Sequence, residues 1–147
     1  LLYALDRYDA VEAMNALRAA GTTLVLSRYW PSNVAFHTAK VPAAQRPALR
    51  RWLRTLDERL PRADVTVFLR LSAATMRARR AERSGGPDEH ERDIAYQRRV
   101  HAIYEQMARR EGWVVVDGER SVTQVHEAVW AAVARAIGMP VAAQQAR

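Results

Sequence analysis

Thr22-Thr23-Leu24-Val25-Leu26-Ser27-Arg28-Tyr29-Trp30-Pro31-Ser32-Asn33-Val34-Ala35-Phe36-His37-Thr38-Ala39-Lys40 is the stretch whose reading decides the fold. Its first part is a short, continuous apolar run ending at Ser27, which predicts a strand buried on both faces rather than an alternating, half-solvated one. Pro31, Ser32 and Asn33 make the next part, Arg28 to Lys40, read as a loop. Upstream, Leu1, Leu5, Tyr8, Val11, Met14 and Leu17 recur every three or four positions, the spacing of one helix face, and Gly21 stands where a helix C-terminus takes glycine.

Two further strands are predicted at Val65–Leu71, entered through Pro61-Arg62-Ala63-Asp64, and at Trp113–Asp117. Between and after them lie helices. Leu49, Trp52, Leu53, Leu56 and Leu60 mark one that Pro61 stops, with Arg50, Arg51, Arg54 and Arg59 on its other face. Another runs from Ala73 to Arg83 and breaks at Ser84-Gly85-Gly86-Pro87. A third carries Ile94, Gln97, Val100, Ile103, Tyr104 and Met107 along one side. Ser121 with Gln124 predicts a capping box at the start of the last helix, whose apolar face is Val122, Val125, Val129, Val133 and Ile137. Gly138 and Pro140 end it, and residues 139–147 read as a flexible tail. The order of elements predicts an α/β fold, a parallel sheet flanked by helices. Three strands are few for that architecture. The chain also opens at Leu1, inside a helical pattern, so a piece of a longer protein is expected.

Composition narrows the function classes. The 147 residues are 49% hydrophobic and 27% charged, a balance that excludes disorder as the main state. No apolar run reaches the roughly 18 residues of a membrane span, and none reads as a signal peptide. Cysteine is absent, which removes disulfides, zinc–thiolate sites and thiol catalysis and agrees with a cytoplasmic location. Net charge is +7, and Lys40 is the sole lysine among 23 basic residues. The arginine fork suits bidentate binding of phosphate, although coding bias accounts equally for surface arginines. His37, His90, His101 and His126 are scattered and form no metal-ligand spacing.

Ligands of an open parallel sheet bind beyond the carboxyl ends of its strands, and Arg28 follows such an end. It can present a fork to a phosphate or pair with a local carboxylate.

The segment Ser27 to Lys40 resembles the Asp-Arg-Tyr segment of thymidylate kinases, in its archaeal and eukaryotic form, where a small polar pair, Ala-Phe and Ala-Lys follow. Leu1-Leu2-Tyr3-Ala4-Leu5-Asp6-Arg7 is similar to that family's Leu-Leu-Phe-x-Ala-Asp-Arg helix, and Pro61-Arg62-Ala63-Asp64 to its Pro-x-Pro-Asp entry. Arg79 and Arg83 resemble the Arg-x-x-x-Arg that opens a mobile lid, here about residues 77–92. Tyr96-Gln97-Arg98-Arg99-Val100 resembles the helix after the lid, and Val114-Val115-Val116-Asp117 the last strand. The resemblance runs in order over residues 1–138, which reads as the C-terminal part of a thymidylate kinase-like domain.

The resemblance implies a P-loop kinase fold and ATP-dependent phosphoryl transfer to dTMP. It implies a base stacked on Tyr3, a base edge met by Arg7, and an acceptor phosphate held by Arg28. Ser32, Asn33, Phe36 and Gln97 complete the substrate contacts, and Arg79 and Arg83 act with Arg28 in catalysis. Packing in the core and a solvated basic face are the alternatives for the aromatic residues and the lid arginines. Glu91-Arg92-Asp93 matches the lid-closing element only loosely. ATP and Mg2+ are implied for the whole protein, and a homodimer is an arrangement the family adopts.

Two departures stand out. The phosphate loop Gly-x-x-x-x-Gly-Lys-Ser/Thr does not occur in the sequence, so the central first strand of the sheet is expected to be missing, and with it ATP binding and much of the stability of the isolated chain. Ser27 stands where the family has a magnesium-positioning Asp, so no metal ligand is assigned. The expected function is therefore a thymidylate kinase of which this chain is a part, itself inactive alone. A relative that binds a nucleoside monophosphate without catalysis is the alternative. A basic nucleic-acid-binding module ranks behind both, because no reader motif accompanies the arginines.

Overall fold

A computed structural model of the chain describes residues 2–81 and 93–139. The described residues form two compact units, one of 2–62 with 93–105 and one of 63–81 with 106–139.

The first unit is helical. The predicted opening helix is two, α1 (Leu2–Asp9) and α2 (Val11–Ala19), separated at Ala10, whose φ of −79° and ψ of −10° open the helix slightly. Gly21 adopts a φ of 77°, the left-handed conformation expected at that helix end. The residues that follow correct the reading of the deciding stretch. Thr22–Leu26 forms no regular element and pairs with no strand among the described residues, and Val25 is 90% exposed. An apolar run becomes a strand only where another strand supplies hydrogen-bond partners. None does here.

The segment read as a loop is a helix, α3 (Trp30–Thr38). Pro31 lies in its first turn, where a missing N–H costs no hydrogen bond and the fixed φ suits the helix, so the residue taken as a breaker is a starter. Val34, Ala35 and Thr38 are fully buried, and α3 is the core of this unit. It packs on α1 and on α4 (Arg46–Asp57), where Leu53 points inward and the arginine side outward. Trp52, assigned to the apolar face, is half exposed. The long helix α6 (Ile94–Glu111) begins in this unit. Tyr96, Val100 and Ile103 form its buried face here, and Tyr96 takes the place expected of Ile94, which is half exposed.

The second unit holds the sheet. β1 (Val67–Arg70) and β2 (Val114–Asp117) are parallel, with Val67 opposite Val114 and Arg70 opposite Asp117. Two strands are present among the described residues where three were expected, because 22–26 does not pair there. Gly118 continues the ladder, its N–H donating to the Arg70 carbonyl at 2.9 Å. A Cβ there would lie 2.8 Å from Leu71 Cδ2 and 3.2 Å from that same carbonyl, so glycine is required for close approach. α5 (Ala73–Ala81) follows β1, and the predicted extension to Arg83 lies outside the described residues, as do Arg92, most of the lid and the tail from 140. α7 (Val122–Ala136) packs on β2 and starts with the predicted capping box: Gln124 N–H donates to Ser121 Oγ at 3.3 Å, and Ser121 N–H to Gln124 Oε1 at 3.2 Å. Of its predicted apolar face, Val122 and Ile137 are exposed and Val125, Val129 and Val133 half-buried; the buried residues are instead Ala132 and Ala134.

Candidate functional site

In the first unit, α3 and α6 bring charged, hydroxyl and aromatic groups together. Arg28, Ser32 and Phe36 succeed one another at intervals of four residues, so the turn before α3 and two successive turns of the helix share a face. Arg28 has a φ of 72°, a left-handed conformation unusual for a residue with a Cβ. From there its Nε donates to Ser32 Oγ at 3.3 Å and its guanidinium carbon lies 4.6 Å from the centre of the Phe36 ring. A cation over an aromatic face is held by the ring quadrupole, which orients the fork without consuming all of its donors.

α6 supplies the other wall. Tyr104 donates to Ser32 Oγ at 2.7 Å, and Tyr96 donates to the Phe36 carbonyl at 2.9 Å. Both rings meet Phe36 edge to face, at centroid distances of 6.3 Å and 6.4 Å. Burial pushes both phenols above their usual range, so they remain neutral donors at physiological pH. Asp93 starts α6: its Oδ1 accepts from the Tyr96 N–H at 2.8 Å, the geometry of a helix cap. Arg99 anchors α6 to the end of α3, donating from Nε to the Ala39 carbonyl at 3.1 Å.

The residues implied by resemblance are distributed as follows. Arg28, Ser32 and Phe36 are brought together. Asn33 is buried in α3 beside them, and Gln97 is half-buried in α6, next to Tyr96. Arg7 forms an ion pair, its Nη2 2.6 Å from Asp57 Oδ1 of α4. Tyr3 belongs to α1, but its side chain lies outside the described residues, as does Arg83. Ser27 is exposed at the bend before Arg28. Arg79, in the second unit, donates from Nη2 to the Gly118 carbonyl at 2.9 Å.

Tyr96 and Tyr104 entered the sequence reading only as part of the helix after the lid, without a role at the site, and Asp57 was not singled out. Tyr104 follows Tyr96 by two helical turns, a signal that was present in the spacing. Asp57 had no comparable signal, because a carboxylate at the end of an arginine-rich helix reads as an ordinary surface charge.

Chemically, the cluster offers a guanidinium with its orientation set, two phenols, a hydroxyl and an aromatic face. The fork can bond an anion, and the aromatic face can stack on a ring. No three His, Asp or Glu side chains converge on a metal position among the described residues, and Ser27 supplies no charge. No reaction step is derived through a metal ion.

Comparison with known proteins places these features in context. Residues 1–129 match the family model described as thymidylate kinase. The human thymidylate kinase is 30% identical over 129 residues, covering 86% of this chain and 57% of that protein. The Mycobacterium tuberculosis thymidylate kinase is 34% identical over 120 residues, covering 76% of this chain and 56% of that protein. A probable thymidylate kinase of Pyrobaculum aerophilum is 28% identical over 126 residues. The chain thus spans little more than half the length of the first two. No helix among the described residues is long and apolar enough to cross a membrane.

Proposed function

Because the chain belongs to the thymidylate kinase family, we propose that it forms the acceptor-nucleotide part of an enzyme that transfers a phosphoryl group from ATP to dTMP, giving dTDP, in the cytoplasm. The observation that carries this reading is the cluster of Arg28, Ser32 and Phe36 with Tyr96 and Tyr104. Arg28 holds the monophosphate through the guanidinium donors not engaged by Ser32. Phe36, Tyr3, Arg7, Asn33 and Gln97 surround the sugar and base. Catalysis of this type rests on positioning and charge neutralisation rather than on a nucleophilic side chain. Arg79 and Arg83 serve the transferring phosphoryl group, for which Arg79 must exchange its bond to Gly118. ATP and Mg2+ are held in the whole protein by a phosphate loop that these 147 residues do not contain. A homodimer is part of the same proposal.

Ser27 supports a second reading, a relative that binds the monophosphate without transferring phosphate, since a hydroxyl cannot replace a metal-positioning carboxylate. Titration of the chain with dTMP, dUMP and duplex DNA tests both. Binding of dTMP that Arg28→Ala abolishes is the expected result. Absence of dTMP binding, with DNA bound in a steeply salt-dependent manner, overturns both in favour of a nucleic-acid module. Phosphoryl transfer by the full-length protein then separates the enzyme from the non-catalytic relative.

A further inference from the structure

The Arg7–Asp57 pair poses a question that the acceptor cluster does not answer. It ties α1 to α4 inside the first unit, with side-chain exposures of 13% and 3%. A buried carboxylate loses most of its hydration, and a pair of this kind rarely adds stability over apolar side chains of the same volume. Its packing is also incomplete as a closed ion pair. Oδ1 of Asp57 accepts from Arg7 Nη2 at 2.6 Å, while Asp57 Oδ2 and Arg7 Nε are both buried without a hydrogen-bond partner. The nearby hydroxyls do not serve Asp57: Tyr8 donates to the Leu56 carbonyl at 2.5 Å, and Tyr29 to the Pro61 carbonyl at 3.2 Å. The carboxylate is therefore committed to one guanidinium. That guanidinium keeps an unspent donor in a plane that the carboxylate fixes.

We propose that Asp57 is a positioning residue for Arg7: it holds the Arg7 guanidinium in one plane so that its unpartnered Nε donor meets the carbonyl edge of the nucleobase. This inference rests on the reading of the first unit as a dTMP site and adds the residue that sets base recognition within it. A fixed donor discriminates strongly, because a ligand without the matching acceptor leaves a buried group unpaired. Phosphate recognition is separate, since Arg28 is oriented by Ser32 and Phe36. Base recognition and phosphate recognition then depend on different residues, and a change at Asp57 acts on the first alone.

The test compares the wild-type chain with Asp57→Asn and Asp57→Glu, each titrated with dTMP and with 2-deoxyribose 5-phosphate, which carries the phosphate and sugar without the base. Wild type is expected to prefer dTMP. Asp57→Asn is expected to weaken dTMP about 10- to 100-fold, as loss of a charge-assisted contact does, and to leave the base-free ligand unchanged. Asp57→Glu keeps the charge and moves it by one methylene, so its preference should fall between the two. Equal weakening of both ligands would show a purely structural role and overturn the inference, as would an unchanged preference in Asp57→Asn. Should Asp57→Asn fail to fold, the preference measured for Asp57→Glu decides, and a wild-type ratio there overturns the proposal. A wild-type chain with no preference for dTMP removes the dTMP reading itself, and this inference with it.

Discussion

Arg28 combines a strained backbone with a side chain on which ligand binding is proposed to depend, and two substitutions separate these properties. Its φ of 72° lies in the left-handed region, where a Cβ crowds the following carbonyl at a cost of about 1–2 kcal/mol. Glycine carries no such penalty. Arg28→Gly and Arg28→Ala both remove the contact with Phe36 and the bond to Ser32, so those losses cancel when the two variants are compared. Only the backbone preference and the extra freedom of glycine in the unfolded chain differ, the latter opposing by roughly 0.4–1 kcal/mol. Arg28→Gly should therefore be more stable than Arg28→Ala by about 1 kcal/mol, or about 2–4 °C in melting temperature for a chain of this size. Urea denaturation followed by far-ultraviolet circular dichroism measures the difference, and dTMP titration of the same samples measures function. Both variants should lose monophosphate binding despite their different stabilities. An Arg28→Ala variant as stable as Arg28→Gly refutes the strain argument. A glycine variant that still binds dTMP at wild-type affinity refutes the role of the guanidinium.

Other consequences concern the frame around the site. Gly118→Ala should destabilise the second unit by about 1–3 kcal/mol, since the new methyl meets Leu71 and the Arg70 carbonyl, and Leu71→Ala in the same chain should recover part of the loss in urea melts. Ser121→Ala should cost about 1 kcal/mol by uncapping α7, whereas Ser121→Asp should keep most of it. Glu119 accepts hydrogen bonds from the Thr75 hydroxyl and, at 2.5 Å, from the Ser72 N–H, and these hold its carboxyl below the usual 4.5. Its contribution is thus complete above that value and disappears as pH falls through the lower folded-state value, so Glu119→Gln should flatten the acid limb of a stability–pH profile. Tyr104→Phe should weaken dTMP binding several-fold by removing one of the two hydrogen bonds that fix Ser32, while leaving the edge contact with Phe36 in place, an outcome titration can read directly.

Local chemistry was legible from the sequence wherever it depends on neighbours along the chain. The Ser121–Gln124 capping box, the glycines at 21 and 138 that end helices, and the two apolar strands all follow from spacing and residue type. Ser32 and Phe36 were reached through the family resemblance, and that they share a helix face with Arg28 follows only once the helix is in place. The helix itself was not legible, since Pro31 and Asn33 read as breakers until the buried positions of Val34, Ala35 and Thr38 show what the segment packs against.

What the amino-acid order determines by itself is the type and approximate extent of most elements, the arginine excess, and the motifs that carry the family relationship. Tertiary structure decides which apolar run becomes a strand and which charge meets which. Leu24-Val25-Leu26 has the composition of a buried strand, yet among the described residues no segment supplies the backbone hydrogen bonds that a sheet needs. Asp57 lies 50 residues from Arg7 in sequence and touches it in space. No local pattern encodes that pairing: it exists only when α1 and α4 pack together and exclude the water that would otherwise solvate both charges.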